Sequence, residues 1–197
     1  MQTDTAQHTA PMAAQDPGKT LLAIARAAIA QAVGLQQETV DESAEPLQKF
    51  GACFVTLSQQ GKLRGCIGSL EARRPLLADI KANAVAAALH DTRFEPLTAA
   101  ELAYTEIEVS LLSSMQTLKF DTEAQALAQL RPGIDGVVLQ YQHYSSTFLP
   151  QVWEQLPTVT EFMAHLKYKA GLPPDFWGDG MRLHRYTVQK WKEIEVP

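Results

Sequence analysis

One stretch narrows the folds open to this chain more than any other: GACFVTLSQQGKLRGCIGSL, residues 51–70. GACFVTLS and LRGCI are short runs rich in apolar and β-branched residues, and QQGK between them carries Gly61 as a turn residue. That order predicts a β-hairpin. A helix is predicted almost at once, in RPLLADIKANAVAAALHD. Proline opens it and alanines fill it. Leu76, Leu77, Ile80, Ala84, Ala87 and Ala88 share one apolar face, and the pattern fades near Asp91. Two strands joined by a tight turn pair antiparallel, and the helix after them needs a sheet to cover.

The remaining segments extend this pattern. Asp16-Pro17 reads as a cap and first turn and Gly34 as a stop. Leu21, Leu22, Ala25, Ala28, Ile29 and Ala32 fall on one face between them. LQQETVDESAEPLQK is polar, carries one proline and predicts a long connection. Thr98 and Glu101 have capping-box spacing, and so do Thr158 and Glu161 at the head of TVTEFMAHLKYKAG, which Gly171 closes. In YTEIEVSLL, Ile107, Val109 and Leu111 alternate with Glu106, Glu108 and Ser110, the mark of a half-buried strand. DTEAQALAQLRPG predicts a short helix, DGVVLQYQ and YSSTFL a strand pair, and MRLHRYTV and WKEIEV extended chain after a PPDFWGDG loop. The expected class is α+β, with a mixed, mainly antiparallel sheet and flanking helices.

With 197 residues, 46% hydrophobic and 20% charged, the chain has ordinary globular composition. Its net charge of −5 argues against general nucleic-acid binding, which needs clustered Lys and Arg. Cys53 and Cys66 are the two cysteines and are expected to be free thiols. Residues 1–16 lack the basic start and apolar centre of a signal peptide and read as a flexible tail, leaving 17–197 as the folded domain. LLAIARAAIAQAV is 13 residues long and holds Arg26, whereas a membrane span needs about 20 apolar residues. A cytoplasmic protein without a membrane anchor is expected.

The chemistry concentrates in KLRGCIGSL and HDTRFEPL. Gly65 and Gly68 permit backbone geometry that a side chain would block and would let a ligand approach the main chain. Backbone amides beside Arg64 make an anion receptor conceivable, and the same setting would favour a Cys66 thiolate. Cys66 as an inert, buried strand residue is the competing reading, the commonest fate of a free cysteine. Asp91, Arg93 and His90 either serve a substrate or form the ion pair and cap of a helix exit. Cys53, Cys66, His90, His143, His165 and His184 show no short metal-ligand spacing, and there is no P-loop, dinucleotide fingerprint or nucleophile elbow. The sequence points to no particular cofactor. Trp153, Trp177 and Trp191 read as core or interface anchors.

Taken in order, LRGCIGSL, FVTLS, DTRFEPLTAAEL, IEVSLLS, GIDGVVLQ, STFLPQVWEQLP, EFMAHLKYKAGLP and LHRY resemble the AMMECR-one domain family, from about Leu21 to Glu195. The resemblance implies an α+β domain of a larger and a smaller lobe with a cleft between them. It implies no established activity. Its hallmark matches at Arg64, Gly65, Cys66, Ile67 and Gly68, with Asp91, Arg93 and Phe94, and Leu149 to Trp153, in support. On that basis Cys66 is expected as nucleophile or thiol ligand, with Arg64 and Arg93 as anion clamps and Gly65 and Gly68 beside the ligand. Asp91 would orient an arginine or take a proton. Such domains occur beside or fused to a Memo-type protein and a radical S-adenosylmethionine protein, in the AmmeMemoRadiSam arrangement. Those two are therefore the implied partners of an alternative, non-catalytic adaptor role. Recognition of RNA through local pockets is the third and weakest option, against the acidic balance.

Overall fold

A computed structural model describes residues 17–36 and 39–193. The tail 1–16, with the Asp16 cap, and the last residues of WKEIEV lie outside the described residues. Helix α1 (Pro17–Ala32) leads through a polar connection and a short α2 (Glu45–Gln48) to β1 (Phe50–Gly51). The predicted hairpin is β2 (Cys53–Gln59) and β3 (Lys62–Gly68), joined by Gln60 and Gly61. Both turn residues have positive φ, 51° and 73°, as a primed two-residue turn requires. β4 (Arg74–Pro75) pairs with β1, and Pro75 opens α3 (Leu76–Leu89).

Next come α4 (Ala99–Leu102), β5 (Glu106–Leu112), β6 (Gln116–Thr117) and α5 (Glu123–Leu127). Hairpin β7 (Gly136–Tyr141) and β8 (Tyr144–Phe148) is followed by a 3-10 turn (Pro150–Glu154) and α6 (Val159–Lys169). β9 (Arg182–Tyr186) and β10 (Val188–Lys192) complete the described chain. Every strand pairing among the described residues is antiparallel.

Apart from the two-stranded β1-β4 pair, the strands form two four-stranded sheets, ordered β10-β5-β2-β3 and β6-β9-β7-β8. α1 and α3 cover one face of the first. Leu21, Ile24, Ala25, Ala28 and Ile29 meet Ile80, Ala84, Ala87 and Ala88 over Val55, Leu57, Ile107 and Val109. Ile24 completes the inner stripe of α1, whereas Ala32, expected there, is exposed in the last turn. The second sheet packs Val137, Leu139 and Leu183 against Phe162, Met163 and Leu166, and the Trp153 ring lies 3.7 Å from that of Phe162 at 7°. Trp153 is buried, whereas Trp177 and Trp191 are half-buried beside their cores.

Thr187 alone separates β9 from β10, so one extended path passes from the second sheet into the first. Around that crossing, Ala52, Leu112, Val138 and Tyr186 form a third cluster with Phe54, Leu149 and Val188. The cluster explains a departure in β5: Ser110 is buried and Leu111 only half-buried, because the outer face of the first sheet runs toward the second. Thr98 makes the full reciprocal capping box with Glu101. Thr158 caps the Glu161 amide, but the Glu161 carboxylate accepts from the Thr158 hydroxyl instead of its amide.

Candidate functional site

β3 is an edge strand, and Cys66 stands near its middle opposite Thr56. A bare edge leaves backbone groups unpaired. At Cys66 a loop supplies them. Its N–H donates to Asp91 Oδ2 (2.9 Å), and its carbonyl accepts from Arg93 Nη2 (3.2 Å). Asp91 in turn accepts from Arg93 at Nε (2.9 Å) and Nη2 (2.7 Å) and from the Arg93 amide (3.2 Å). The acid–arginine pair therefore stands where a neighbouring strand would. It also accounts for the end of α3 at Leu89: Asp91 is drawn to the sheet edge rather than continuing the helix. The carboxylate is 4% exposed.

Three contacts fix the Arg93 guanidinium: Asp91, the Cys66 carbonyl and the face of Phe94, whose centroid is 5.5 Å away. Its Nη1 has no partner among the described residues, and the side chain is 55% exposed. Beside it, Cys66 is half-buried, and its Sγ accepts from the Thr56 hydroxyl at 3.3 Å. The strand row through these groups continues across the sheet as Cys66, Thr56, Glu108 and Lys192. Phe54, on the same face as Thr56, belongs to the cluster between the two sheets.

Arg64 takes a different partner. The pairing of β2 with β3 shifts between Leu57 and Ser58, which places Arg64 in the irregular step of the ladder. Its Nε and Nη2 both donate to Glu101 Oε1 (3.2 Å), and the side chain is 14% exposed. Glu101 is the capping-box carboxylate of α4, so Arg64 ties that helix to the hairpin. The glycines have packing roles. A Cβ on Gly65 would stand 2.2 Å from the Ala87 carbonyl oxygen, and one on Gly68 would stand 2.2 Å from Phe54 Cγ. The structure thus brings Cys66, Asp91 and Arg93 together, sends Arg64 to Glu101, and fills the space before both glycines with protein.

Electrostatics separates the roles open to these groups. The Arg93 side-chain hydrogen bonds, then the Cys66 and Arg93 amides, hold the Asp91 carboxyl below the usual carboxylate range against the cost of its burial. A carboxylate so saturated is a poor base and a good anchor. Reciprocally, its bonds to Asp91 push Arg93 up. Glu101 is lowered chiefly by the Thr98 amide, with Arg64 contributing less. Burial, reinforced by the Asp79 carboxylate, pushes the Cys53 thiol well up, while Cys66 lies partly open. A disulfide reagent applied to the native protein should therefore modify one thiol per chain, Cys66, and two after denaturation. Release of two equivalents at one rate from native protein would contradict this.

Asp79, Asn83 and Thr56 were not singled out by the sequence reasoning. The Asp79 carboxylate is 2% exposed and accepts from the Cys53 amide (2.9 Å), Ser69 Oγ (2.7 Å), Arg74 Nε (2.8 Å) and Asn83 Nδ2 (3.0 Å). The available signal was two polar residues four apart on the inner face of an otherwise apolar helix. No group of three or more His, Cys, Asp or Glu side chains that could hold a metal ion occurs among the described residues. No helix there is long and apolar enough to cross a membrane.

Comparison with known proteins agrees with this architecture. The AMMECR1 family model matches residues 22–191. Protein MJ0810 of Methanocaldococcus jannaschii is 33% identical over 188 residues, 91% of this chain and 92% of that protein. Protein TK0174 of Thermococcus kodakarensis is 35% identical over 191 residues, 89% and 90% of the two chains. The crystal structure of the uncharacterized protein PH0010 from Pyrococcus horikoshii superposes with a TM-score of 0.77 at 30% identity, covering 89% of this chain and 91% of that one. A family match over most of the chain, relatives of nearly equal span and a shared α+β fold lead to one conclusion: this chain belongs to the AMMECR1 family.

Proposed function

We propose that the protein is an enzyme component acting on a small anionic molecule or modified group, with the Cys66 thiolate as its reacting group. The observation that carries this reading is the juxtaposition of a half-buried cysteine with a guanidinium anchored at the same strand residue. Arg93 Nη1 would take the anion. The Cys66 thiol proton passes to water, Sγ bonds to an electrophilic carbon, and the departing group leaves with the electron pair of the broken bond. The Thr56 hydroxyl, which donates to Sγ, fixes the direction in which the sulfur points. Asp91 is a positioning residue, because its carboxylate is already occupied by the Cys66 and Arg93 groups. A cytoplasmic setting fits a thiol kept reduced.

Incubation of the full chain with a small-molecule extract, read by mass spectrometry, tests the proposal without a known substrate. At least one anionic compound should be consumed by the wild type, left untouched by Cys66→Ser, and turned over roughly tenfold more slowly by Arg93→Gln. Identical profiles for wild type and Cys66→Ser would refute it.

A second reading, an adaptor for a Memo-type and a radical S-adenosylmethionine partner, draws on the hairpin end. Leu63 and Tyr104 are exposed there around a groove of about 250 Å³ that Arg64 also lines. Co-purification with either partner, abolished by Leu63→Asp and retained by Cys66→Ala, would favour it over the catalytic one.

A further inference from the structure

At the far end of the signature strand, beyond Gly68, the chain opens into a hollow of about 450 Å³ lined by Ser69, Leu70, Glu71, Arg73, Arg74 and Asp79. A space of that size is within the range of small-molecule sites. Its floor is a buried network. Asp79 holds Ser69 Oγ and Arg74 Nε on one oxygen, and the Cys53 amide and Asn83 Nδ2 on the other. Ser69 Oγ also accepts from Asn83 Nδ2 at 3.2 Å. Everything beneath Arg74 is consequently fixed.

The guanidinium itself is not used up. Arg74 binds Asp79 through Nε alone, its two terminal nitrogens have no partner among the described residues, and its side chain is 42% exposed. Holding Nε removes much of the rotational freedom that an arginine loses on binding, while the outer edge of the fork stays available. Arg73, on the same lining, donates through Nε (2.9 Å) and Nη2 (2.7 Å) to Glu71 Oε2. That pair is largely exposed, so solvent screens it and an incoming anion competes with Glu71 for Arg73. Leu70 supplies an apolar wall.

We infer that this hollow is a binding site for an oxyanion, a phosphate or carboxylate group on a small molecule, with Arg74 as its anchored fork and Arg73 as its mobile second donor. The site is separate from Cys66 and does not depend on the function proposed above. Glu71 acts as the internal competitor that an anion displaces.

Titration of the isotope-labelled full chain with inorganic phosphate, and separately with malonate, at constant ionic strength tests the inference by amide chemical shifts. Expected are saturable, single-site shifts confined to residues 69–79 and the Gly51, Cys53 and Asn83 positions that pack against them, with at least one of the two anions; the stronger response tells phosphate from carboxylate. Arg74→Lys keeps a cation for Asp79 but loses the fork and should weaken binding roughly tenfold. Glu71→Gln removes the competitor from a surface position and should tighten binding about two- to fivefold. Shifts that scatter over the surface, fail to saturate with both anions, or persist unchanged in both variants would overturn the site. If Arg74→Lys does not fold, the gain in Glu71→Gln decides: its presence supports the site and its absence overturns it.

Discussion

Gly65→Ala should lower stability by about 3 kcal/mol, near the upper end of overpacking costs. For a chain of this size that corresponds to a fall in Tm of roughly 6–12 °C. The added methyl would lie 2.2 Å from the Ala87 carbonyl oxygen and 3.7 Å from Leu57 Cδ1. The first contact is with backbone, in a helix bound to the same sheet, so neither side can yield by a rotamer change. Strand β3 would have to lift from α3, carrying Cys66 with it. Urea denaturation gives the measurement. A midpoint equal to that of the wild type would mean that Gly65 is not explained by packing and would return weight to a ligand lying over the backbone.

Asp91→Ala is the second large effect, a loss of about 2–3 kcal/mol. It strands the Cys66 amide and releases Arg93 from two side-chain bonds at once. Asp91→Asn should be milder, since its carbonyl oxygen can still accept from one of those donors. The two proteins should also differ with pH. Because the folded carboxyl lies below its unfolded value, its contribution is complete above about pH 4–5 and fades as pH falls through the folded pKa. The stability gap between wild type and Asp91→Asn should accordingly be constant near neutrality and narrow in acid. A gap that widened in acid would contradict the assigned direction.

Much of the fold was legible in the residues. Gln60-Gly61 between two apolar runs, the alanine-filled helix behind Pro75 and the Thr98–Glu101 spacing are local signals, and local interactions realise them. What the sequence hid is long-range. The helical pattern reaches His90 and Asp91, but the helix stops at Leu89 because Asp91 finds a partner 25 residues earlier in the chain. Arg26 looks like an interruption in an apolar run. Yet its guanidinium binds Glu193 and the carbonyls of Leu102 and Thr105, gathering α1, α4 and the end of β10. Two residues apart on a regular strand, Arg64 and Cys66 would point the same way. The shift in pairing at Leu57/Ser58 breaks that rule, and nothing in KLRGCIGSL announces it. Asp91 and Arg93 were identifiable as a pair, but their attachment to the Cys66 backbone needs the third dimension.

An anchored guanidinium beside the Cys66 sulfur should be visible to charge-selective alkylation. The rates of Cys66 modification by iodoacetate and iodoacetamide are compared at neutral pH and low salt in wild type, Arg93→Gln and Asp91→Ala. A guanidinium within a few ångströms is worth about 1 kcal/mol to an anion in a water-like setting, so the iodoacetate-to-iodoacetamide ratio should fall roughly fivefold in Arg93→Gln. Asp91→Ala removes a negative charge together with the anchor, so its ratio should stay above that of Arg93→Gln. The same ratio in wild type and Arg93→Gln would show that no such charge addresses the sulfur, and the account of this site would fail.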